Sequence, residues 1–550
     1  MANAPILLFK NGTIVTLDKE GTIAIAMAIA GETIIATGTM DHVQERLQQL
    51  GVSSNSDIIE EDLEGKCVVP GFTDVHMHPG LYIYFLTQLD LSSVRSFDDL
   101  ARALQAEDND RSNQDEWILG VDLMEDLFTD PAEQYFPTRV ELDNICSSRP
   151  VIVIRHDGHI CSVNSKALEA MNINGATVAQ FQSPTGELRV DANGEPTGVF
   201  TETATGYPLE HVSMPSMDRL EDAARRFSQT LASFGITTVG GVFQLGAEGI
   251  AGQAGAAEMP LMEMLIKEHI IAQDIVFYFV TDKPKQLKRA EKNLQKASEG
   301  SDRFVVGGIK IYSDGSFGAR TAAMLEPYSD SPSGEAGFMV RDKETILGMV
   351  KEAGDLGYQA IIHAIGDKAN RVVVDMYKEL PTGDAREHRH RIEHASTLTP
   401  DTIADIAELG VVIATQPAFI NSEYIWLEKR LGPERVKHTY AFKSIIDAGI
   451  VLAGASDAPV ESGDVMKALQ ACVTRHDLVP EESITPEEAL RMFTWNAAYA
   501  VRQENKKGSI EEGKLADLVV LDKNPLMVSS SEIDTIKVVA TYHRGTKIYP

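Results

Sequence analysis

His76 and His78, in the run Pro70-Gly71-Phe72-Thr73-Asp74-Val75-His76-Met77-His78, are two imidazoles one residue apart at the end of an apolar stretch. Side chains alternate along a strand, so residues two apart point the same way, and two neutral imidazoles converging from a rigid edge suit a transition metal. The spacing alone decides little. Fourteen histidines in 550 residues give His-x-His by chance roughly one time in three, and a second pair, His388 and His390, reads as solvated charge among Glu387, Arg389 and Arg391.

Four more apolar runs end in residues capable of chemistry: Lys310, Tyr312 and Asp314; Ile361-Ile362-His363; Arg391-Ile392-Glu393-His394; and Gly454-Ala455-Ser456-Asp457. Each has a structural alternative. A histidine ending a strand is commonly a hydrogen-bonded structural residue, an aspartate after a strand a helix cap, and a lysine inside an apolar run can reach out to a rim. Their joint occurrence is harder to assign to chance.

The elements that would position them are eight short apolar runs, at 68–76, 237–242, 275–281, 305–312, 359–364, 390–395, 411–416 and 451–456, with amphipathic stretches between them. Continuous apolar strands separated by helices indicate a parallel sheet covered on both faces, and eight in succession indicate an α/β protein built on a (β/α)8 TIM barrel. Catalysis in such barrels sits at the C-terminal strand ends. The polar residues ending runs one, four, five, six and eight would therefore meet at one mouth.

Both ends of the chain differ from this middle. Runs at 6–9, 13–17, 24–30 and 33–37, punctuated by Asn11-Gly12 and Gly31-Glu32 and followed by a helix at 40–50, resemble in character those at 518–521, 536–541 and 546–549; such turn dipeptides between short apolar runs are hairpin signals. The expected organisation is a small β-sandwich domain from residues 1–69 and 508–550 and a barrel at 70–507. An α/β insertion of about 80–234 is expected over the active-site face, with helices at 97–105, 165–171 and 217–234 and a strand at 151–155.

A composition of 43% hydrophobic and 24% charged residues is that of an ordinary globular protein. The formal charge of −31, from 81 acidic against 50 basic residues, is spread along the chain and repels nucleic acid and anionic lipid. Cys67, Cys146, Cys161 and Cys472 are far apart and form no Cys-x-x-Cys, so neither a disulfide framework nor a thiolate zinc site is expected. With no signal-peptide pattern and no apolar run of the roughly 20 residues that span a bilayer, a cytoplasmic address is the expectation. The expected partner is a small-molecule substrate, with no nucleic acid and no membrane; a homodimer is compatible with the reading.

The full set of motifs resembles the amidohydrolase superfamily, specifically amidohydrolase family 3, the branch of YtcJ-like and N-substituted formamide deformylase-like enzymes. The matching stretches are the His76 run; Asp157-Gly158-His159 with Val163-Asn164-Ser165-Lys166-Ala167-Leu168; Gly308-Ile309-Lys310-Ile311-Tyr312-Ser313-Asp314-Gly315-Ser316; and His363-Ala364-Ile365-Gly366-Asp367-Lys368-Ala369. Arg391-Ile392-Glu393-His394-Ala395, Ser456-Asp457-Ala458-Pro459-Val460, Gly508-Ser509-Ile510 and Gly513-Lys514-Leu515-Ala516-Asp517-Leu518 match as well, so the resemblance covers nearly the whole chain.

That resemblance implies that His76, His78 and Asp457 hold one divalent transition metal and His363 and His394 a second, although one ion remains an alternative. Lys310 would bridge as a carbamate formed with CO2, because an ammonium has no lone pair to offer; Glu202 is the other candidate bridge. Zinc suits the imidazole and carboxylate set. A metal-activated hydroxide would attack a carbonyl, Asp457 would move the proton, and His159 would polarise the substrate. The expected reaction is hydrolysis of an amide, N-formyl or N-acyl C–N bond. Ring deamination, ester or lactone hydrolysis, decarboxylation and a non-catalytic ligand-binding or regulatory protein are the alternatives. Arg155, His156, Tyr312 and Asp314 are further candidates for the pocket wall, and Phe128, Tyr135, Phe136, Phe419, Tyr424 and Trp426 for an apolar pocket, with core packing the alternative for each aromatic.

Overall fold

A computed structural model describes residues 5–52, 58–110, 116–155, 160–183, 186–212, 214–245, 255, 257–331 and 334–550. The chain divides into two compact units, Met1–Gly80 with Ala224–Pro550, and Leu81–Ala223. In the first, eight parallel strands run in sequential order: β1 (Phe72–Met77), β2 (Ile236–Gln244), β3 (Asp274–Val280), β4 (Phe304–Tyr312), β5 (Gln359–Ala364), β6 (Arg391–His394), β7 (Val412–Thr415) and β8 (Leu452–Gly454). This is the expected barrel. Its interior is filled by side chains, with Val242, Val276, Tyr278, Ile361, Val412, Ala414 and Ala453 packed against Ala497, Ala500 and Val501 of the helix region at its lower end.

One boundary differs from expectation. The apolar run at 68–76 is two strands: Cys67–Pro70 joins a six-stranded sheet and β1 starts only at Phe72. The break falls at Gly71, where a Cβ would meet the Thr237 side chain at 2.6 Å; Pro70, with no N–H to donate, closes the preceding strand. Hydropathy reads straight across this corner because both strands are buried.

A four-stranded sheet made from the N-terminal end and the six-stranded sheet, which combines strands of both chain ends, share a core of Phe9, Met27, Ile29 and Ile34 from the first and Ile14, Val68, Leu518, Val520 and Tyr542 from the second. Alternation explains the remaining layer: Ile6, Leu8, Ala26 and Ala28 face Val43 and Leu47 of the helix Met40–Gln49, while their neighbours face the sandwich.

The second unit is built on a seven-stranded mixed sheet, where one strand was expected. Ile118, Val151 and Val153 lie in one apolar core and Leu119, Ile152 and Ile154 in another, so the central strands are covered on both faces. The outer strands are short and partly exposed, as in Gly186–Val190, and carry no clear period. Phe128 and Phe136 pack in this unit's core, Tyr135 is exposed, and Arg155 pairs with Glu125 and Asp126.

Candidate metal centre

Strand β1 delivers His76 at its end and His78 just beyond. His76 is fully buried, and its Nδ1 donates to Glu393 Oε2 at 2.5 Å. A carboxylate on one ring nitrogen fixes the tautomer and aims the other nitrogen, the arrangement common behind metal-binding histidines. The aimed Nε2 lies 3.4 Å from Asp457 Oδ1, and His78 Nε2 lies 3.0 Å from the same oxygen. Metal bonds of about 2.0–2.2 Å place the ligand atoms of one ion roughly 2.9–3.5 Å apart for bond angles between about 90° and 110°. Asp457 Oδ1 stands at that spacing from both imidazoles, the three ligand atoms all lie within 4.8 Å of one another, and Asp457 Oδ1 is buried without a hydrogen-bond partner among the described residues. An orphaned carboxylate oxygen facing two imidazoles fits a cation.

His363 and His394 form a separate pair, their ring centroids 4.4 Å apart. His363 Nε2 meets Gly315 O at 2.9 Å, which leaves Nδ1 as its ligand atom. His394 Nδ1 is buried and unpartnered. Lys310 stands at the junction, 1% exposed, with Nζ 3.2 Å from His76 Nε2, and its charge is felt by His363 and His394 as well. It does not reach out to a rim.

Backbone geometry turns these side chains inward. His394, Ala395 and Asp457 have φ of 70°, 47° and 61°, left-handed values that are rare for residues other than glycine and asparagine and that recur at functional sites. On β6 this turn leaves Glu393 to face His76 while His394 meets His363. Asp457 is seated by Asp457 N donating to His76 O at 2.8 Å and Ser456 N donating to Asp74 Oδ1 at 3.2 Å. The His78 N–H donates to Ala458 O at 2.8 Å, so strands β1 and β8 are joined through the ligand loops.

Burial sets the electrostatics. It pushes His76 down to about 4 and His363 to about 3, aided in each by the Lys310 charge, so both rings are neutral and can offer lone pairs. Burial lowers Lys310 to about 8 against the pull of Glu393 and Asp457. For Asp457 burial acts upward, but His78 and His76 beside it hold the carboxyl below the usual range. Glu393 is likewise raised by burial and held at about 2 by Arg391 and His76.

Several of these residues had no assigned role in the sequence reading. Arg391, fully buried, grips Glu393 through Nε at 2.8 Å and Nη2 at 3.1 Å and donates to Val75 O at 3.1 Å. The signal was there: Arg391-x-Glu393 is a charged pair two residues apart inside an apolar run. Asp314 accepts the N–H groups of Ala323, Ile365 and Gly366, holding the loop that carries Gly315, and burial pushes it up to about 7. Glu258, remote in sequence, accepts the Gln244 N–H at 2.6 Å; burial raises its carboxyl against the pull of His78. Phe419 stacks near His394, ring centroids 6.1 Å apart. Tyr424 stacks on His476 and Arg430 lies over Trp426.

The reading of His388 and His390 as solvated charge is overturned for His390, while His388 is partly exposed. His390 is 1% exposed, its Nδ1 accepts the Ala360 N–H at 3.0 Å, and it stacks on Tyr377; Arg391 is buried as well. The run expected at 390–395 is observed as β6 from Arg391, so His390 stands buried at its entry. His156 and His159 lie outside the described residues, as does the side chain of Glu202.

The profile of the amidohydrolase family matches residues 60–549. The chain belongs to that family. Across 99% of its length it is 31% identical to Protein LONG AFTER FAR-RED 3 of Arabidopsis thaliana, covering 91% of that protein. It is 26% identical to N-substituted formamide deformylase of Arthrobacter pascens, over 99% of this chain and 98% of the relative. The crystal structure of an uncharacterized metal-dependent hydrolase from Pyrococcus horikoshii OT3 superposes with a TM-score of 0.73 at 26% identity, covering 96% of this chain and 99% of that one. This amidohydrolase-family chain is thus a hydrolase on a barrel shared with metal-dependent enzymes. Among the described residues no helix is long and apolar enough to cross a membrane.

Proposed function

We propose that the protein hydrolyses an amide-type C–N bond of a small molecule, such as an N-formyl or N-acyl amine, with one or two divalent transition metal ions held by His76, His78 and Asp457 and by His363 and His394. The observation that carries this reading is the unpaired Asp457 Oδ1 facing His76 and His78, with His76 fixed from behind by Glu393. Four imidazoles and a carboxylate favour zinc. The name of the Arthrobacter pascens relative supports the choice of bond.

When bound, such a metal lowers the pKa of water to about 7 and polarises a carbonyl oxygen. Asp457 takes the proton of the attacking water on its carboxylate and returns it to the departing nitrogen, the two-way role of a carboxylate base. Glu393 and Arg391 keep His76 in one tautomer throughout. Lys310, lowered to about 8 by burial, would supply the neutral amine that adds CO2, forming an N–C bond with loss of one proton, and the resulting anionic oxygens would serve as metal ligands.

Metal analysis of the purified protein is expected to find one to two equivalents of divalent transition metal, and the loaded protein to hydrolyse members of a panel of N-formyl, N-acetyl, carbamoyl and lactone compounds. A metal-free protein that cannot be reconstituted refutes the proposal in favour of a binding protein, and turnover confined to lactones moves the reaction to esters. Lys310→Ala is expected to lose activity at least about 100-fold, with partial rescue by short carboxylic acids. A fully active Lys310→Ala removes the bridge from Lys310.

A further inference from the structure

We infer that Gln416 determines substrate specificity: its carboxamide reads an amide edge on which N–H and C=O lie side by side, as in an unsubstituted carboxamide, a ureido group or a cyclic amide. The inference rests on the hydrolase reading above and narrows it to a substrate class.

Gln416 directly follows β7, where Val412 and Ala414 face the packed interior of the barrel. A period of two puts Gln416 on the same interior row, one step further toward the mouth. The strands on either side are β6, which ends in His394, and β8, which leads to Asp457. Its backbone is fixed, since Ala455 N donates to Thr415 O at 2.9 Å and Phe419 N to Gln416 O at 3.1 Å.

The side chain is 1% exposed, yet among the described residues neither Oε1 nor Nε2 has a hydrogen-bond partner. Other buried glutamines in this chain behave differently. Gln273 accepts from Ser228 Oγ at 2.9 Å and donates to Ser228 O at 2.9 Å; Gln359 accepts from Tyr278 at 2.7 Å and donates to Ala500 O at 3.1 Å. A buried amide unpaired at both ends is destabilising, and folded proteins rarely retain one without a use. Its neighbours supply the use: the His394 and Asp457 atoms that lack partners among the described residues stand at the two adjacent strand ends, so three successive strand ends carry such polar atoms. That rim is reached by solvent at His363 and Asp457, each 8% exposed.

A carboxamide presents one acceptor and a donor on the same edge. Its complement is another amide edge with donor and acceptor adjacent. An ester or lactone lacks the donor, and an N,N-dialkyl amide lacks it too. Sites built to pair with an N–H reject analogues that cannot offer one.

The test compares wild type with Gln416→Met, of similar size and without polar ends, and with Gln416→Glu, which keeps an acceptor and loses the donor. The probes are δ-valerolactam and δ-valerolactone, with thermal protection, metal content and kcat/KM as readouts. We expect the lactam to raise the wild-type Tm more than the lactone does, and both variants to lose that difference while keeping their metal. Gln416→Met without ligand should melt higher than wild type. For substrates that present this edge, such as the carbamoyl compounds of the panel, the preference over the matching ester should fall about 100-fold or more in Gln416→Met. A variant that melts lower or does not fold makes the amide structural, loss of metal makes it a ligand, and a wild type blind to lactam against lactone lacks the edge reading; each overturns the inference. Thermal protection does not depend on turnover, so it decides the role of Gln416 even where no C–N bond in the panel is cleaved.

Discussion

Among the described residues the chain holds two clusters of aspartate and histidine, and their surroundings differ. The upper one is His76, His78 and Asp457; the lower one is Asp274, at the start of β3, with Asp517 and His543. Both have ligand atoms close enough for one ion. The lower cluster is already filled by the protein's own cations: Lys507 Nζ lies 2.8 Å from Asp274 and 2.7 Å from Asp517, and Arg544 and Arg303 reach Asp274 at 3.1 Å and 3.3 Å. Burial would raise Asp274, but Lys507 and His543 hold it well below the ordinary carboxylate range. A cavity of about 530 Å³ opens beside it, lined by Arg303, His543 and Arg544, but those arginines are engaged with acids. Donor type and spacing therefore do not separate the two; what differs is that Asp274 and Asp517 are ion-paired with Lys507, whereas Lys310, the cation beside the upper cluster, meets His76 and among the described residues forms no ion pair with Asp457. In barrels of this kind the N-terminal face serves stability and the C-terminal face chemistry.

The largest effect should separate the clusters outright. Asp457→Asn is expected to abolish turnover, by more than about 1000-fold in kcat, with metal still bound, and to alter the urea midpoint little. Asp274→Asn should do the reverse, destabilising by about 3–5 kcal/mol by leaving buried cations unpaired while the folded protein keeps its kcat. If Asp274→Asn abolishes activity at full stability, the contrast is wrong. A smaller effect tests the support of the upper cluster: Glu393→Gln should weaken metal binding by about 10–100-fold, measured by competition with a chelator, and unchanged affinity would leave Glu393 a role in packing alone.

The smallest concerns a histidine in neither cluster. Burial, together with the charges of His388 and Arg502, lowers His390 from 6.5 to about 3. The unfolded chain then binds the extra proton below pH 6.5 and the folded one does not, so stability present above 6.5 is lost as the pH falls toward 3. At pH 5.5, one unit below the unfolded value, the loss is about 1.4 kcal/mol. His390→Asn should flatten that part of the urea midpoint against pH in metal-free protein, and an unaltered slope would discard His390 as its source.

Much of this was legible from residue types. The eight runs and the five polar strand ends stand where the sequence places them, because a parallel strand buried on both faces must be continuously apolar and any polar residue at its end is conspicuous. Glu393 escaped notice because its partner His76 is 317 positions away, and pairing at that distance leaves no local trace. His390 was misread because burial is decided by strand register, whereas neighbouring charges are all that a window of sequence reveals. The lower cluster was invisible for a related reason: Asp274 lies more than 230 positions from Lys507, Asp517 and His543, and Asp517, though within a matched stretch, gave no sign of its partners. Gln416 ends the apolar run at 411–416, but its lack of partners is a property of its surroundings and leaves no mark in sequence.

The hydrogen bonds from Asp457 to His76 O and from His78 to Ala458 O have a mechanical meaning. They fasten the first and last staves of the cylinder, and the residues making them are those proposed to grip the ion. Chelation should therefore loosen this seam before any other part of the barrel, and amide protons at 76–78 and 456–458 should exchange sooner than those of β3 to β5. The cofactor would then act as a rivet as well as a reagent.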